Sequence, residues 1–376
     1  MNIVLSDFGL HKRFAPLTLT RPIGDLRIGI MTNTERYSSF EGVSVFFETE
    51  AYLQEQFPNT SSEAIIVNAN LIPCKKLATY IVNLSQNTSL MYGEITLAKS
   101  GSGEHIIQWS ETQPLILSQR WHLYIYNDVA LKNDFEWLTA GRNSVPLSET
   151  NQVIGDPTRV FLEEGAVVEA SILNTKSGPI YVGKNAEIME GSIVRGGLAM
   201  CESSALKLGA KVYGAVTLGP HCKVGGEVSN VIFQAYSNKG HDGFLGNALI
   251  GEWCNLGADT NTSNLKNNYS NVSTYSYEVE KEIETDVQFM GVCMGDHSKC
   301  GINTMFNTAT VVGVSCNIYG GDFPSKFIPS FSWGGQEFVP FKFDKAIEYA
   351  NNMMSRRGRQ LTENEVKILR HIAKLS

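Results

Sequence analysis

Every sixth residue from Val182 to Val224 is apolar: Val182, Ile188, Val194, Met200, Leu206, Val212, Leu218 and Val224. The same beat returns at Met294, Cys300, Phe306, Val312 and Ile318, with a shorter piece at Ile250 and Leu256. A period of six fits neither an amphipathic helix nor a strand alternating at two. It predicts a solenoid whose coils have three sides, one short strand per side, with the aliphatic residue pointing inward. Only 43% of the residues are apolar, so eight successive hits are hard to reach by chance. A glycine often follows the inward residue, as in Val182-Gly183, Leu218-Gly219, Val224-Gly225, Leu256-Gly257 and Val312-Gly313. Glycine suits a corner or a close approach of two backbones. The pattern is that of hexapeptide repeats in a left-handed parallel β-helix.

The beat divides the chain. Residues 1–150 lack it and read as a small α/β domain. Strands are expected at Asn2 to Ser6, Ala64 to Val67, Glu94 to Leu97 and His122 to Tyr126, with helix-like stretches at 49–56 and 75–84. Gly141 to Gln152 is a polar linker. Residues 153–335 form the β-helix, interrupted near Asn174–Pro179, at Ser229 to Leu249, and in the Asn-rich stretch Ser263 to Glu284. Insertions in repeat proteins emerge as loops, often on the binding face. Residues 341–376 read as two helices, the second opened by the capping-box spacing Thr362 to Glu365. They are expected to cap the open end of the solenoid. The fold class is therefore α/β plus all-β.

Composition narrows the partners. A net charge of −7 without a long basic run disfavours nucleic acid and anionic membranes. No apolar stretch reaches transmembrane length, and the first residues lack the basic flank and apolar core of a signal peptide. Seven scattered cysteines without zinc spacing read as small core residues in a reducing compartment. A cytoplasmic location is expected. No metal site is expected from the seven histidines either.

Asn238-Lys239-Gly240-His241, then Phe244-Leu245-Gly246, then Asn255-Leu256-Gly257-Ala258 and Asn264, closely resembles the acetyltransferase domain of the GlmU family. Lys299-Cys300-Gly301-Ile302-Asn303 resembles an element of archaeal sugar-1-phosphate nucleotidyl/acetyltransferases. Arg13-Phe14-Ala15-Pro16-Leu17-Thr18 and Arg21-Pro22 are similar to the sugar nucleotidyltransferase signature. The resemblance implies acetyl transfer from acetyl-CoA to glucosamine-1-phosphate in UDP-N-acetylglucosamine biosynthesis. Uridylyl transfer from UTP, with Mg²⁺, is implied only where the amino-terminal domain is active. A homotrimer with the acetyl site between neighbouring β-helices is implied as well. The alternatives are a nucleotidyltransferase for another sugar-1-phosphate, such as a thymidylyltransferase, and a non-catalytic sugar-nucleotide sensor.

Acetyl transfer needs a base for the protonated amine, and a histidine with a pKa of about 6.5 suits that role. The resemblance assigns it to His241. It implies that Asn255 and Asn264 bond the sugar or orient the base; stacked asparagine ladders are the rival reading. Phe244 stands where the family has Tyr and keeps a packing surface without the hydroxyl. Lys239 and Lys266 are candidates for the sugar phosphate or are solvated surface lysines. Lys299 and Asn303 lie where relatives meet CoA; the alternative is that this segment only forms a corner. In the amino-terminal domain Arg13, Thr18, Arg21 and Arg27 either contact nucleotide phosphates or fasten the domain to the solenoid. That domain departs from the family: one glycine, Gly9, stands in place of a Gly-rich phosphate cradle. Ile23 replaces the signature Lys, and Asn70 replaces a metal-binding Asp. Asp259 stands where the family has Gly.

Overall fold

The computed structural model describes residues 1–375, so only Ser376 of the expected 341–376 segment lies outside it. Residues 152–334 wind into nine coils of a parallel β-solenoid of the left-handed β-helix type. The first face is a nine-stranded parallel sheet running from Val160–Leu162 to Phe327–Ile328. The second runs from Val167–Val168 to Ser332–Gly334, and the third from Gln152–Ile154 to Phe244–Gly246. The six-residue beat is the interior: all eight residues from Val182 to Val224 are at most 1% exposed.

Two corner devices make the coil close. Between the first and second faces, one residue per coil takes the left-handed conformation: Gly165, Asn185, Ser203, His221, Tyr236, Trp253, His297, Ser315 and Phe331. Only the first is a glycine, although this region costs other residues about 1–2 kcal/mol each. The N–H of each later corner residue donates to a carbonyl of the coil before it, such as Trp253 to Ala235 and His297 to Glu252. The glycines that follow the inward residues act differently. Gly183 and Gly219 have ordinary φ, and a Cβ on Gly219 would fall 1.6 Å from the carbonyl oxygen of Gln234 in the next coil. Close stacking of backbones, rather than turning, requires them.

The stretch Ser229 to Leu249 is not an insertion, contrary to the sequence reading. It forms regular strands at Ile232–Ala235, Asn238–Lys239 and Phe244–Gly246. The beat is hidden there because the coil is shortened, with the inward residues Val224, Val228, Phe233, Lys239, Leu245 and Ile250 spaced four to six apart, and because Lys239 takes the inward place paired with Val224. The excursion after Ser263 is real and carries the hairpin Ser273–Ser276/Lys281–Glu284.

The amino-terminal domain holds a six-stranded mixed sheet, ordered Ser44–Glu48, Asn2–Ser6, Ile65–Asn68, Ile95–Ser100, Thr88–Tyr92, His105–Gln108. The expected strand at His122 to Tyr126 is instead the start of the helix His122–Thr139. Its run of Leu123, Tyr124, Ala130 and Leu131 is buried on one side against the solenoid, a tertiary contact that overrides the local β-like pattern. Residues 51–56 form hydrogen-bonded turns rather than a helix, whereas Lys75–Val82 is helical.

This domain sits on the first face of the solenoid, and the outward residues Phe161, Tyr181, Ala199, Cys201, Ile232, Leu249 and Cys293 belong to its apolar core. Polar links fix the register. Asn127 Nδ2 donates to the Ala215 carbonyl at 3.2 Å, and Tyr124 Oη donates to the Phe289 carbonyl at 2.7 Å. The helices Phe343–Ser355 and Glu363–Lys374 pack together on Val314, Phe331 and Leu53, with the capping box at Thr362 formed. They cover a side of the last coils. The final strand edge is closed by a hairpin, Ser332–Gly334 against Phe338–Pro340. Among the described residues no helix is long and apolar enough to cross a membrane.

The inward and outward assignments can be checked by a pair of substitutions two residues apart. Leu206 is fully buried and Leu208 is 68% exposed. Leu206→Ala is expected to cost about 2–5 kcal/mol in urea unfolding, and Leu208→Ala less than about 0.5 kcal/mol.

Candidate active site

In-register stacking turns single residues into columns on the second face. One outward column reads Lys223, Asn238, Asn255, Lys299, Asn317 in successive coils. The residues one position past the inward column are Lys207, Gly225, Gly240, Gly257 and Gly301. Four glycines without side chains thus leave a trough along the face. A Cβ on Gly257 would meet the Gly301 backbone at 2.4 Å. The trough belongs to a cleft of about 840 Å³. His241, Asn238, Asn255 and Lys299 line it, and Asn352, Met353, Arg356 and Arg357 at the end of the helix Phe343–Ser355 form its other wall.

His241 is exposed at the corner where the second face turns into the third. Lys239 sets its position from beneath. That side chain is 1% exposed, and its ammonium donates to the carbonyls of Gly225 (3.1 Å), His241 (3.0 Å) and Asp242 (3.3 Å). Lys239 is therefore a tether for the His241 loop and not a phosphate ligand, which corrects the reading from sequence. Burial pushes its pKa down to about 8, against the opposing pull of Asp242 and Asp259. Lys299 donates to the His297 carbonyl at 2.9 Å while lining the cleft, and burial lowers its pKa to about 8 as well.

The other expected site residues lie elsewhere. Phe244 and Asn264 meet beside Gly246 on the third face, around the corner from the cleft, where Asn264 Nδ2 donates to Asn247 Oδ1 at 2.9 Å. Lys266 is bonded to the Asn271 carbonyl within the excursion. Asn303 is a left-handed corner residue whose N–H donates to the Ala258 carbonyl. Asp259 takes the same conformation, φ 54°, one coil earlier. A position that needs left-handed backbone explains why a glycine-like slot can hold an Asp, whose short side chain tolerates it. Lys207, Lys223, Arg356 and Arg357 were not anticipated. The signal was available in the two lysines flanking beat positions and in the basic pair ending the helix.

The amino-terminal domain has its own cleft, of about 470 Å³, at the carboxyl ends of the strands Asn2–Ser6 and Ser44–Glu48. Its lining includes Asp7, His11, Glu48, Thr49 and Glu50, an acidic set unsuited to a triphosphate. Asp7 accepts bonds from the Ile23 N–H at 2.9 Å and from Thr49 Oγ1 at 2.5 Å, and lies 2.8 Å from His11 Nδ1. The four residues considered for nucleotide are engaged elsewhere. Arg13 pairs with Glu278, and Thr18 Oγ1 donates to the His11 carbonyl. Arg21 bridges Glu252 and Asp296 of successive coils. The Arg27 N–H donates to Gln234 while its guanidinium binds Glu35 and the Ile30 carbonyl. They fasten the domain or brace its own loops. The residues also do not fit magnesium: Asn70 Oδ1 is buried without a partner, and it is a neutral amide where a carboxylate would be needed.

Residues 3–143 match the family model described as sugar nucleotidyl transferase. The bifunctional protein GlmU of Synechococcus elongatus is 25% identical over 210 residues, covering 52% of this chain and 41% of that protein. Over these residues the chain is similar to GlmU. The GlmU of Methanocaldococcus jannaschii is 32% identical over 90 residues, 24% of this chain and 21% of that protein. The chain thus matches less than half the length of these relatives. Among solved structures, the polySia-specific acetyltransferase NeuO aligns with 51% of this chain and 87% of its own, at 15% identity and a TM-score of 0.29. The UDP-N-acetylglucosamine acyltransferase of Campylobacter jejuni aligns with 60% of this chain and 95% of its own, at 14% identity and a TM-score of 0.27.

The two depressed lysines give a pH signature. Each binds fewer protons in the folded than in the unfolded chain between pH about 8 and 10.5, so stability rises with pH across that window. Urea unfolding at pH 7.5, 9 and 10.5 is expected to show wild type gaining stability relative to Lys239→Met and to Lys299→Met as pH increases. An unchanged difference would mean that the two amines titrate like solvated lysines.

Proposed function

We propose that the protein is an acyltransferase that moves the acetyl group of acetyl-CoA to the amine of glucosamine-1-phosphate, with His241 as general base. The observation that carries this reading is the exposed imidazole of His241 in a cleft rich in cations and amides, on a loop braced by the buried Lys239. In this reading His241 removes a proton from the substrate ammonium as the nitrogen attacks the thioester carbonyl. The carbon–sulfur bond breaks, and the thiolate of CoA takes up a proton on leaving. Asn238 and Asn255 offer amide donors to the sugar or to the oxyanion. Lys299 adds positive charge along the same column. The similarity to proteins named GlmU supports the choice of amino sugar, and the UDP-N-acetylglucosamine route and a cytoplasmic setting belong to the same reading.

The homotrimer belongs to the same reading. The first face is covered by the amino-terminal domain, while the third exposes Ile193 and Tyr213 beside Arg195 and Lys211. Docking a second copy there would bring Phe244 and Asn264, with Lys266 nearby, to the edge of a shared site. A second activity, uridylyl transfer from UTP, is favoured by the family match over 3–143 and opposed by the acidic cleft in that domain.

Release of free thiol from acetyl-CoA in the presence of glucosamine-1-phosphate tests the main reading. His241→Ala is expected to lower kcat by about 10²–10⁴-fold with little change in the melting temperature. Absence of thiol release with any amino sugar would overturn the reading. Pyrophosphate formation on adding UTP and magnesium would add the second activity.

A further inference from the structure

Four cations of the cleft have no partner. Lys207 and Lys223 rise from successive coils, and Arg356 and Arg357 descend from the turn that ends the helix Phe343–Ser355. Among the described residues none of the four makes an ion pair. They are close enough to repel. Burial, with Arg357, Lys207 and Arg356, holds the Lys223 amine below the ordinary lysine range, and Glu187 opposes this only weakly. Arg357 and Arg359 likewise add to the burial that lowers His221, on the neighbouring corner. The helix is not free to carry its arginines away, because Ala346, Ala350 and Met354 are buried beneath it. Like charges fixed together destabilise a fold unless an anion neutralises them.

We infer that Lys207, Lys223, Arg356 and Arg357 form the anchor for the phosphorylated nucleotide end of acetyl-CoA. The inference rests on the acyltransferase reading for the identity of the ligand. Charge matching selects the donor over the sugar. A single phosphate monoester carries about −1.5 to −2 at neutral pH, enough for two of the four cations. A ligand with a 3′-phosphate and a diphosphate meets all four. Position agrees with this choice. Lys223 is one coil from Asn238, two from Asn255 and three from Lys299, and coils are spaced by about 4.8 Å. A donor with its charged end at Lys207 and Lys223 can then cross the glycine trough toward His241, which stands at the corner that ends the coil of Asn238. The carboxy-terminal helix, expected from sequence to cap the solenoid, thereby becomes one wall of the binding site.

Calorimetric titration of the full chain with adenosine 3′,5′-bisphosphate, acetyl-CoA and glucosamine-1-phosphate tests the inference without requiring turnover. Arg356→Gln/Arg357→Gln is expected to weaken the bisphosphate and acetyl-CoA by about tenfold or more and the sugar phosphate by less than about twofold. Lys223→Gln, on the solenoid rather than the helix, is expected to act in the same direction, and circular dichroism checks that each variant is folded. Wild-type affinity for acetyl-CoA should also fall more steeply with salt than that of the double variant. Loss of glucosamine-1-phosphate binding instead would assign the anchor to the sugar and overturn the inference, as would unchanged binding of all three ligands. Tight binding of the bisphosphate, lost in the variants, in a protein that transfers no acetyl group would leave the anchor standing and remove only the reaction.

Discussion

Each coil of this solenoid must lie on the one before it at the spacing of parallel strands, about 4.8 Å, so that every position sits over its equivalent. Most other features follow from that constraint. Inward positions become one continuous apolar column. Corners must repeat the same backbone conformation in all nine coils, and ordinary residues accept left-handed φ there because each N–H is satisfied by the coil below. The corner side chains then stack on one another: His221 lies 4.9 Å from Tyr236, which lies 4.2 Å from Trp253, with nearly parallel rings. Contacts between stacked rings offset part of the conformational cost.

The same constraint gives the three faces different roles. The first is apolar outside as well as inside, and it is buried under the amino-terminal domain. Arg21 illustrates the join. It reaches Glu252 and Asp296, residues one coil apart that each precede a left-handed corner. Asp25 lies in the same enclosed pocket, where burial raises its pKa to about 6. A guanidinium placed there cannot also hold a nucleotide. The family match covers this domain, and two of its arginines, Arg13 and Arg21, are committed to acids beyond it.

The repeat was legible because the interior of a β-helix tolerates little besides aliphatic side chains at a fixed interval. It is lost where the interval changes. Val224, Val228 and Phe233 are four and five residues apart, and Lys239 then puts a charge in the column between Val224 and Leu256, so the sequence alone reads the stretch as an insertion. His241, the proposed base, is a candidate because of its local motif. The placement of the remaining candidates is not legible in the chain, since Phe244 follows His241 by three residues yet faces the other way across a corner. Lys207, Lys223, Arg356 and Arg357 were invisible as a set because they are brought together by coil stacking and by a helix more than a hundred residues downstream. Residues 122–126 were misread for a related reason: the solenoid surface, absent from any local window, selects helix over strand.

Lys239 ties these threads together. An ammonium at an inward position is costly, and an aliphatic residue would continue the column at lower desolvation cost. Its three carbonyl partners account for its presence. Two of them belong to His241 and Asp242, the residues at which the chain leaves the second face. The Asp242 oxygen also accepts the Asp259 N–H of the next coil, and the lysine adds a second tie to the loop from inside the solenoid. With it, the imidazole is presented at the edge of the glycine trough by a contact that originates inside the solenoid. The buried interior of the solenoid thus holds the group whose orientation the proposed chemistry depends on most.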